Sequence, residues 1–241
     1  MAAVTLLETR GLSKSFGGVT ACDGIDLALP AGETLALIGP NGSGKSTFTA
    51  MVSGRIRPDR GRVLLRGRDV TALPAHARIA MGMAYTFQIT SVFADLPVRE
   101  NVALALRRTV RGEGRVQAGT DRTLERVGLL ARADQPAGDL SYGHQRVLEI
   151  AMGLAQNPAL FILDEPTQGL SEPEVAEFVA LMDALPAATA VLLVEHNMDV
   201  VMRLAGRIAV LDAGGLIAVG PPDRIRADPA VQAAYLGTAD A

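Results

Sequence analysis

At 241 residues with 49% hydrophobic content, the chain is long enough for one large α/β domain, or a core with a small subdomain, and too apolar for global disorder. A net charge of -3 argues against a nucleic-acid binder working by bulk electrostatics, and the single Cys22 excludes an internal disulfide. No apolar run approaches the roughly 18 residues of a transmembrane helix, and no basic region precedes the short apolar stretch at the N-terminus, so neither a membrane span nor a secretory signal is expected.

Aromatic residues make up only 4% and Trp is absent, so the core must be built from Ala, Val, Leu and Ile. Cys22 reads as a small buried apolar residue and fits a reducing cytosol. Mean hydropathy is positive, which leaves room for a sizeable apolar contact surface.

Leu6 to Ile38 carries short apolar runs broken by Gly11, Gly17-Gly18, Gly24 and Gly32, and reads as antiparallel strands. The run Thr34 to Ile38 leads into Gly39, Pro40, Asn41, Gly42, Ser43, Gly44, Lys45, Ser46 and Thr47, a phosphate loop of the form G-x-x-x-x-G-K-[ST]. No Gly or Pro interrupts Lys45 to Val52, so strand, glycine-rich turn and helix follow one another as the motif requires. Glycines let backbone N–H groups turn inward around phosphate oxygens, and the helix presents its positive end to them. Lys45 is expected to reach the β- and γ-phosphates and the Ser46 hydroxyl to ligate Mg²⁺. The implied ligand is a nucleoside triphosphate.

Arg62 to Val70 predicts a further strand and turn. From Leu96 to Arg132 the spacing turns helical, with Val98, Val102, Leu104 and Leu106, then Leu124, Val127, Leu129 and Leu130. Arg111 to Arg115 reads as an exposed loop between two helices. The arginine excess here reads as a solvated helix face, a docking surface for an acidic partner being the alternative.

Leu140-Ser141-Tyr142-Gly143-His144-Gln145-Arg146 stands before another helix, with Ser141 a good N-cap and Tyr142 and Gly143 beside the free N–H groups of its first turn, an anion site. Two buried-strand candidates follow. Ala159 to Leu163 runs into Asp164-Glu165-Pro166, and Ala190 to Val194 runs into Glu195-His196. Each follows a helical stretch, which predicts βαβ units and a parallel sheet. Asp164, delivered to a strand end beside the phosphate loop, is placed to hold Mg²⁺, and Glu165 to act as general base on the attacking water. Of the three histidines only His196 sits at a strand end, and His76 and His144 read as surface or local-structure residues rather than a zinc site. The expected organisation is one nucleotide-binding core, residues 1–88 and 158–241, interrupted by a helical insertion over 89–157.

The phosphate loop, Leu-Ser-x-Gly-x-Gln, Phe161 to Thr167 and Val194-Glu195-His196 together resemble the ATP-binding cassette (ABC) ATPases, in order and over Leu12 to Leu236. The resemblance implies a P-loop α/β fold with an N-terminal antiparallel β-subdomain and an inserted helical subdomain. It also implies two subunits sandwiching two ATP molecules, the phosphate loop of one facing Ser141, Tyr142 and Gly143 of the other. Carried over by motif, Phe16 stands where an aromatic stacks on adenine, Gln88 where a glutamine senses Mg²⁺ and water, and His196 where a histidine contacts the γ-phosphate and steadies Glu165. Lys45, Gln88, Glu165 and His196 are thus the expected catalytic set, with Ser46, Gln88 and Asp164 around the metal. Two positions depart from the family pattern. His144 replaces the usual first glutamine of the signature segment, and Ser171 stands where most members carry an aspartate, which bears on coupling between the two sites.

Within the family, Tyr85 to Phe93, Leu96 to Val102, Leu148 to Ala151 and Asp228 to Gly237 are similar to the ATPases of branched-chain amino acid uptake, relatives of which carry urea and short amides. That resemblance implies integral membrane permease subunits as partners, docked in a groove near Gln88 to Asn101 with Phe93, Leu96 and Val98 as its apolar part. It further implies a second ATPase subunit, identical or different, an external solute-binding protein, and a peripheral position on the cytoplasmic face of the inner membrane. Family members that act on DNA carry long coiled coils, for which no heptad pattern exists here, and ribosomal ones carry two cassettes, so no nucleic-acid partner is expected.

Overall fold

The computed structural model describes residues 5–86 and 91–236. Contact density divides the chain into two compact units, one of residues 1–83, 159–164 and 186–241, the other of 84–158 and 165–185.

The first unit opens with two long strands, β1 (Thr5–Phe16) and β2 (Val19–Pro30), paired antiparallel as the glycine-broken runs predict. Gly17 and Gly18 both have positive φ (51° and 89°), the backbone a two-residue hairpin turn demands, and Phe16 faces Val19 across it. With β4 (Arg60–Leu65) and β5 (Arg68–Asp69) they form a four-stranded sheet in the order β2-β1-β4-β5.

The second sheet holds β3 (Thr34–Ile38), β6 (Met83–Tyr85), β7 (Leu160–Asp164), β8 (Ala190–Val194), β9 (Arg207–Asp212) and β10 (Gly215–Gly220), in the order β10-β9-β3-β8-β7-β6. Strands β9, β3, β8 and β7 are mutually parallel, and β10 returns antiparallel on β9. Their continuous apolar runs match their burial: Leu35 to Ile38, Leu160 to Leu163 and Ala190 to Val194 are all buried, as parallel strands covered on both faces require. On one face Ala36, Ile38, Ile208 and Val210 pack with Val201 of α7 (Met198–Leu204), Ile225 of α8 (Pro222–Arg226) and Val231 of α9 (Pro229–Leu236). Helix α1 (Lys45–Ser53) buries Phe48, Met51 and Val52.

A buried arginine locks the far end of α1. Arg78, on the short α2 (Ala75–Ala80), is fully buried and donates to the carbonyls of Met51 and Val52 (both 2.7 Å), Leu73 and Thr71 (both 3.0 Å). Burial brings its pKa down to about 10. The fork geometry of one guanidinium thus satisfies carbonyls at a helix terminus and in a loop. Cys22 on β2 lies against the other end of α1, its thiol 3.5 Å from the Gly44 carbonyl, and burial pushes its pKa up to about 11.

The second unit contains α3 (Val98–Leu106), α4 (Glu113–Arg126), α5 (Tyr142–Ala155) and α6 (Glu172–Asp183). Val98, Val102, Leu106, Val116, Leu124, Leu129, Leu140, Val147 and Leu148 form its core. The helical reading stands, with three corrections. Leu104 is partly exposed, because Val98, Val102 and Leu106 recur every four residues and position 104 falls between those rows, and Leu130 is partly exposed in a short 3-10 turn beyond α4. Val98, read as lining a docking groove, is fully buried in this core, whereas Phe93 is 55% exposed. The interhelix loop ends at Gly112, and Glu113-Gly114-Arg115 is the first turn of α4, where the acidic Glu113 suits the helix N-terminus and pairs with Arg107 at 2.6 Å.

Two measurements probe these packings. Arg78→Met leaves four backbone carbonyls without their donor, and its unfolding free energy in urea is expected to fall by about 3 kcal/mol. Cys22 in the folded chain should react with iodoacetamide at pH 8 at least about a hundredfold more slowly than in urea, because burial both hides the thiol and shrinks its thiolate fraction.

Candidate functional site

Strand register brings the first unit's predicted groups to one edge. Leu37 of β3 is opposite Val194 of β8, and Val194 is opposite Asp164 of β7. Three parallel strands therefore end within one residue of one another. From these ends the chain continues into the phosphate loop after Ile38, into Glu195-His196 after Val194, and from Asp164 itself into Glu165. The carboxyl edge of a parallel sheet is where open α/β folds bind ligands.

The loop is built by close approaches that only glycine permits. A Cβ on Gly39 would stand 2.0 Å from the Leu211 carbonyl oxygen, and one on Gly44 would stand 2.2 Å from that of Ala21. The Gly214 N–H donates to the Ser43 carbonyl at 3.2 Å, so the β9–β10 turn braces the loop from outside. The Lys45 ammonium is buried within the loop's curl, donating to the carbonyls of Gly39 (2.7 Å) and Pro40 (2.9 Å), while Ser46 at the start of α1 is exposed. The Ser43 hydroxyl is buried with no hydrogen-bond partner among the described residues. A positive group and an orphaned hydroxyl inside a glycine cradle at a helix N-terminus fit the oxygens of a polyphosphate.

Asp164 is buried and His196 exposed. Glu195, which the sequence reading quoted only as part of a motif, is buried, and its Oε2 accepts the N–H groups of His196 (2.7 Å) and Asn197 (3.0 Å), fixing the turn that carries His196. Asn197 then caps α7 by accepting from Asp199 and Val200. Phe16 is 50% exposed at the hairpin tip, with the Lys14 ammonium 5.4 Å from its ring centroid and Lys14 itself paired to Asp59. Gln88 lies outside the described residues, as do Phe87, Ile89 and Thr90.

The second unit holds the signature segment and Glu165. Ser141 caps α5 as expected, its Oγ accepting the His144 N–H at 3.3 Å and lying 2.7 Å from His144 Nδ1, a local role for that histidine. Tyr142 is exposed and Gly143 buried. A Cβ on Gly143 would fall 1.9 Å from Glu174 Oε1. Glu174 Oε2 in turn accepts from the Ser171 N–H (2.9 Å) and hydroxyl (2.7 Å), and those donors hold its carboxyl below the usual carboxylate range. Ser171 is therefore matched to Glu174, since an aspartate there would set one carboxylate against another.

Glu165 adopts φ 49°, the left-handed region that non-glycine residues rarely enter. Arg146 of α5, almost fully buried, donates to the carbonyls of Glu165 (3.0 Å) and Pro166 (3.3 Å) and pairs with Glu149 at 2.6 Å. Arg146 has no role that the sequence alone assigns. Its signal there is an arginine with a glutamate three residues on, in a helix that is apolar from Val147 onward apart from that glutamate.

A family model described as ABC transporter matches residues 22–168, and one described as branched-chain amino acid ATP-binding cassette transporter matches residues 216–241. The chain is 38% identical to the high-affinity branched-chain amino acid transport ATP-binding protein LivG of Escherichia coli (strain K12), over 97% of this chain and 98% of that one. It is 35% identical to the lipopolysaccharide export system ATP-binding protein LptB of Acidithiobacillus ferridurans, over 96% and 97%. Among solved structures, the ADP conformation of MJ1267, an ATP-binding cassette of an ABC transporter, superposes with a TM-score of 0.87 at 27% identity, covering 97% of this chain and 99% of that one. With the phosphate cradle and strand-end carboxylates in place, these likenesses settle the assignment: the chain belongs to the ABC transporter family, as an ATP-binding and ATP-hydrolysing subunit.

Proposed function

We propose that this chain powers an importer of branched-chain amino acids or related small solutes. The reading is carried by full-length similarity to LivG together with the match of residues 216–241 to a branched-chain amino acid cassette model. Residues 1–88 and 158–241 act as the nucleotide-binding core and 89–157 as the helical part that meets a membrane permease. Among the described residues no helix is long and apolar enough to cross a membrane, which suits a subunit held peripherally at the cytoplasmic face by that permease. A solute-binding protein outside supplies the cargo.

Each site residue has a task. Phe16 stacks on adenine. The N–H groups from Gly39 to Thr47, with Pro40, Asn41, Gly42, Ser43 and Gly44 shaping the curl, hold the β- and γ-phosphates. Lys45 exchanges the carbonyls it now touches for phosphate oxygens, a swap of neutral acceptors for charged ones that strengthens its bonds. Ser46, Asp164 and Gln88 are the residues that hold Mg²⁺, which when bound offsets negative charge on the phosphates. Glu165 takes a proton from water as its oxygen attacks the γ-phosphorus and the bond to ADP breaks, while His196 contacts the γ-phosphate. Ser141, Tyr142 and Gly143 serve the nucleotide of a second cassette subunit, so closure of the pair on ATP and reopening after hydrolysis drive the permease.

The similarity to LptB favours a second reading, an ATPase of the same family working in export. The match at residues 216–241 weighs against it.

Glu165→Gln is expected to lower turnover by about a hundredfold or more while ATP still binds. Light scattering of that variant should show its 25.2 kDa mass double with Mg-ATP, and a mass that stays monomeric with ATP bound would assign the second subunit to a different chain. In cells lacking the gene, uptake of labelled leucine should fall and return with the wild-type chain but not with Glu165→Gln. Uptake that is untouched by the deletion would sink the amino-acid assignment.

A further inference from the structure

Resting on the reading of Glu165 as general base, we propose that Arg146 is a positioning residue for hydrolysis, holding the main chain that aims the Glu165 carboxylate. Glu165 sits at φ 49°, a conformation that a non-glycine residue keeps only when its surroundings over-determine it. The guanidinium of Arg146 supplies that determination, since two consecutive carbonyls, those of Glu165 and Pro166, accept from it. One rigid planar group bonded to both fixes the two consecutive peptide planes that follow the Glu165 Cα, which a flexible lysine ammonium does less well. Glu149, buried and paired at 2.6 Å, orients the guanidinium and balances its charge. The device is expensive, because it buries an ion pair in an aliphatic core where a hydrophobic pair would serve stability as well. The bonds that Arg146 donates to the Glu165 and Pro166 carbonyls give the pair a task that a hydrophobic pair could not perform.

The same helix is capped by Ser141. Arg146 therefore links the segment offered to a second subunit's nucleotide with the base of its own subunit. A small rotation of α5 would shift the Glu165 carbonyl and with it the carboxylate.

The test is a mutant cycle in single-turnover ATP hydrolysis, using the wild type, Arg146→Met with Glu149→Leu, Glu165→Gln, and all three together. Changing Arg146 and Glu149 as a pair leaves no orphaned charge behind. The paired variant should lose about 10- to 100-fold in rate, while its dissociation constant for a fluorescent ATP analogue stays within about threefold. On the Glu165→Gln background the paired change should cost nothing further, because its effect passes through that carboxylate. Arg146→Lys, retaining one point donor, should fall between wild type and the paired variant, and it carries the same cycle should the paired variant fail to bind the analogue. A wild-type rate in the paired variant, or an equal loss on both backgrounds, overturns the assignment while leaving the general base intact. A wild-type rate in Glu165→Gln alone overturns the general base and this inference together.

Discussion

The nearly common termination of three parallel strands is the constraint on which the rest of the nucleotide-binding unit depends. Leu37, Val194 and Asp164 stand in register, and the register is held by close packing, because a one-residue slip would put side chains of different size into positions buried on both faces of the sheet. A strand one residue longer or shorter would carry Asp164 or His196 about 3.3 Å along the sheet, away from the phosphate loop. Chemistry at this edge is therefore secured by residues with no chemistry of their own, Leu35 to Ile38 and Leu160 to Leu163 among them.

With few aromatics and no Trp, the interior relies on aliphatic packing for cohesion and on buried arginines for order. Arg78 and Arg146 do the same job in different units, each presenting one fork to backbone carbonyls that helices and turns leave unsatisfied. The first secures the end of the helix that follows the phosphate loop. The second secures the turn that follows β7. In both places a planar donor array replaces the turns of regular structure that would otherwise consume those carbonyls.

Much of this was legible in the chain. The phosphate loop, the two apolar runs ending in acids and the Ser141 cap are local patterns whose physics is contained in a few consecutive residues. The readings that failed depended on partners distant in sequence. Nothing near Val98 announces that Leu124 and Leu148 will join it in one core, and the start of α4 at Glu113 turns on a pair with Arg107 across a loop whose path the local pattern does not give. The roles of Glu195 and Arg146 were hidden for a related reason: a buried charge is visible only once the backbone groups it serves are folded around it.

Gly143 shows how such concealment can mislead an experiment. Its place in the signature segment invites the view that its hydrogen side chain exists to let a phosphate approach. Within the chain's own second unit, however, the space where a Cβ would project is occupied by the Glu174 carboxylate, which is itself tied to Ser171 at the start of α6. A bulkier residue at 143 would push on α6 before any nucleotide arrived. Loss of activity in such a variant would therefore carry two indistinguishable messages, one about ligand contact and one about how the signature helix seats on its neighbour.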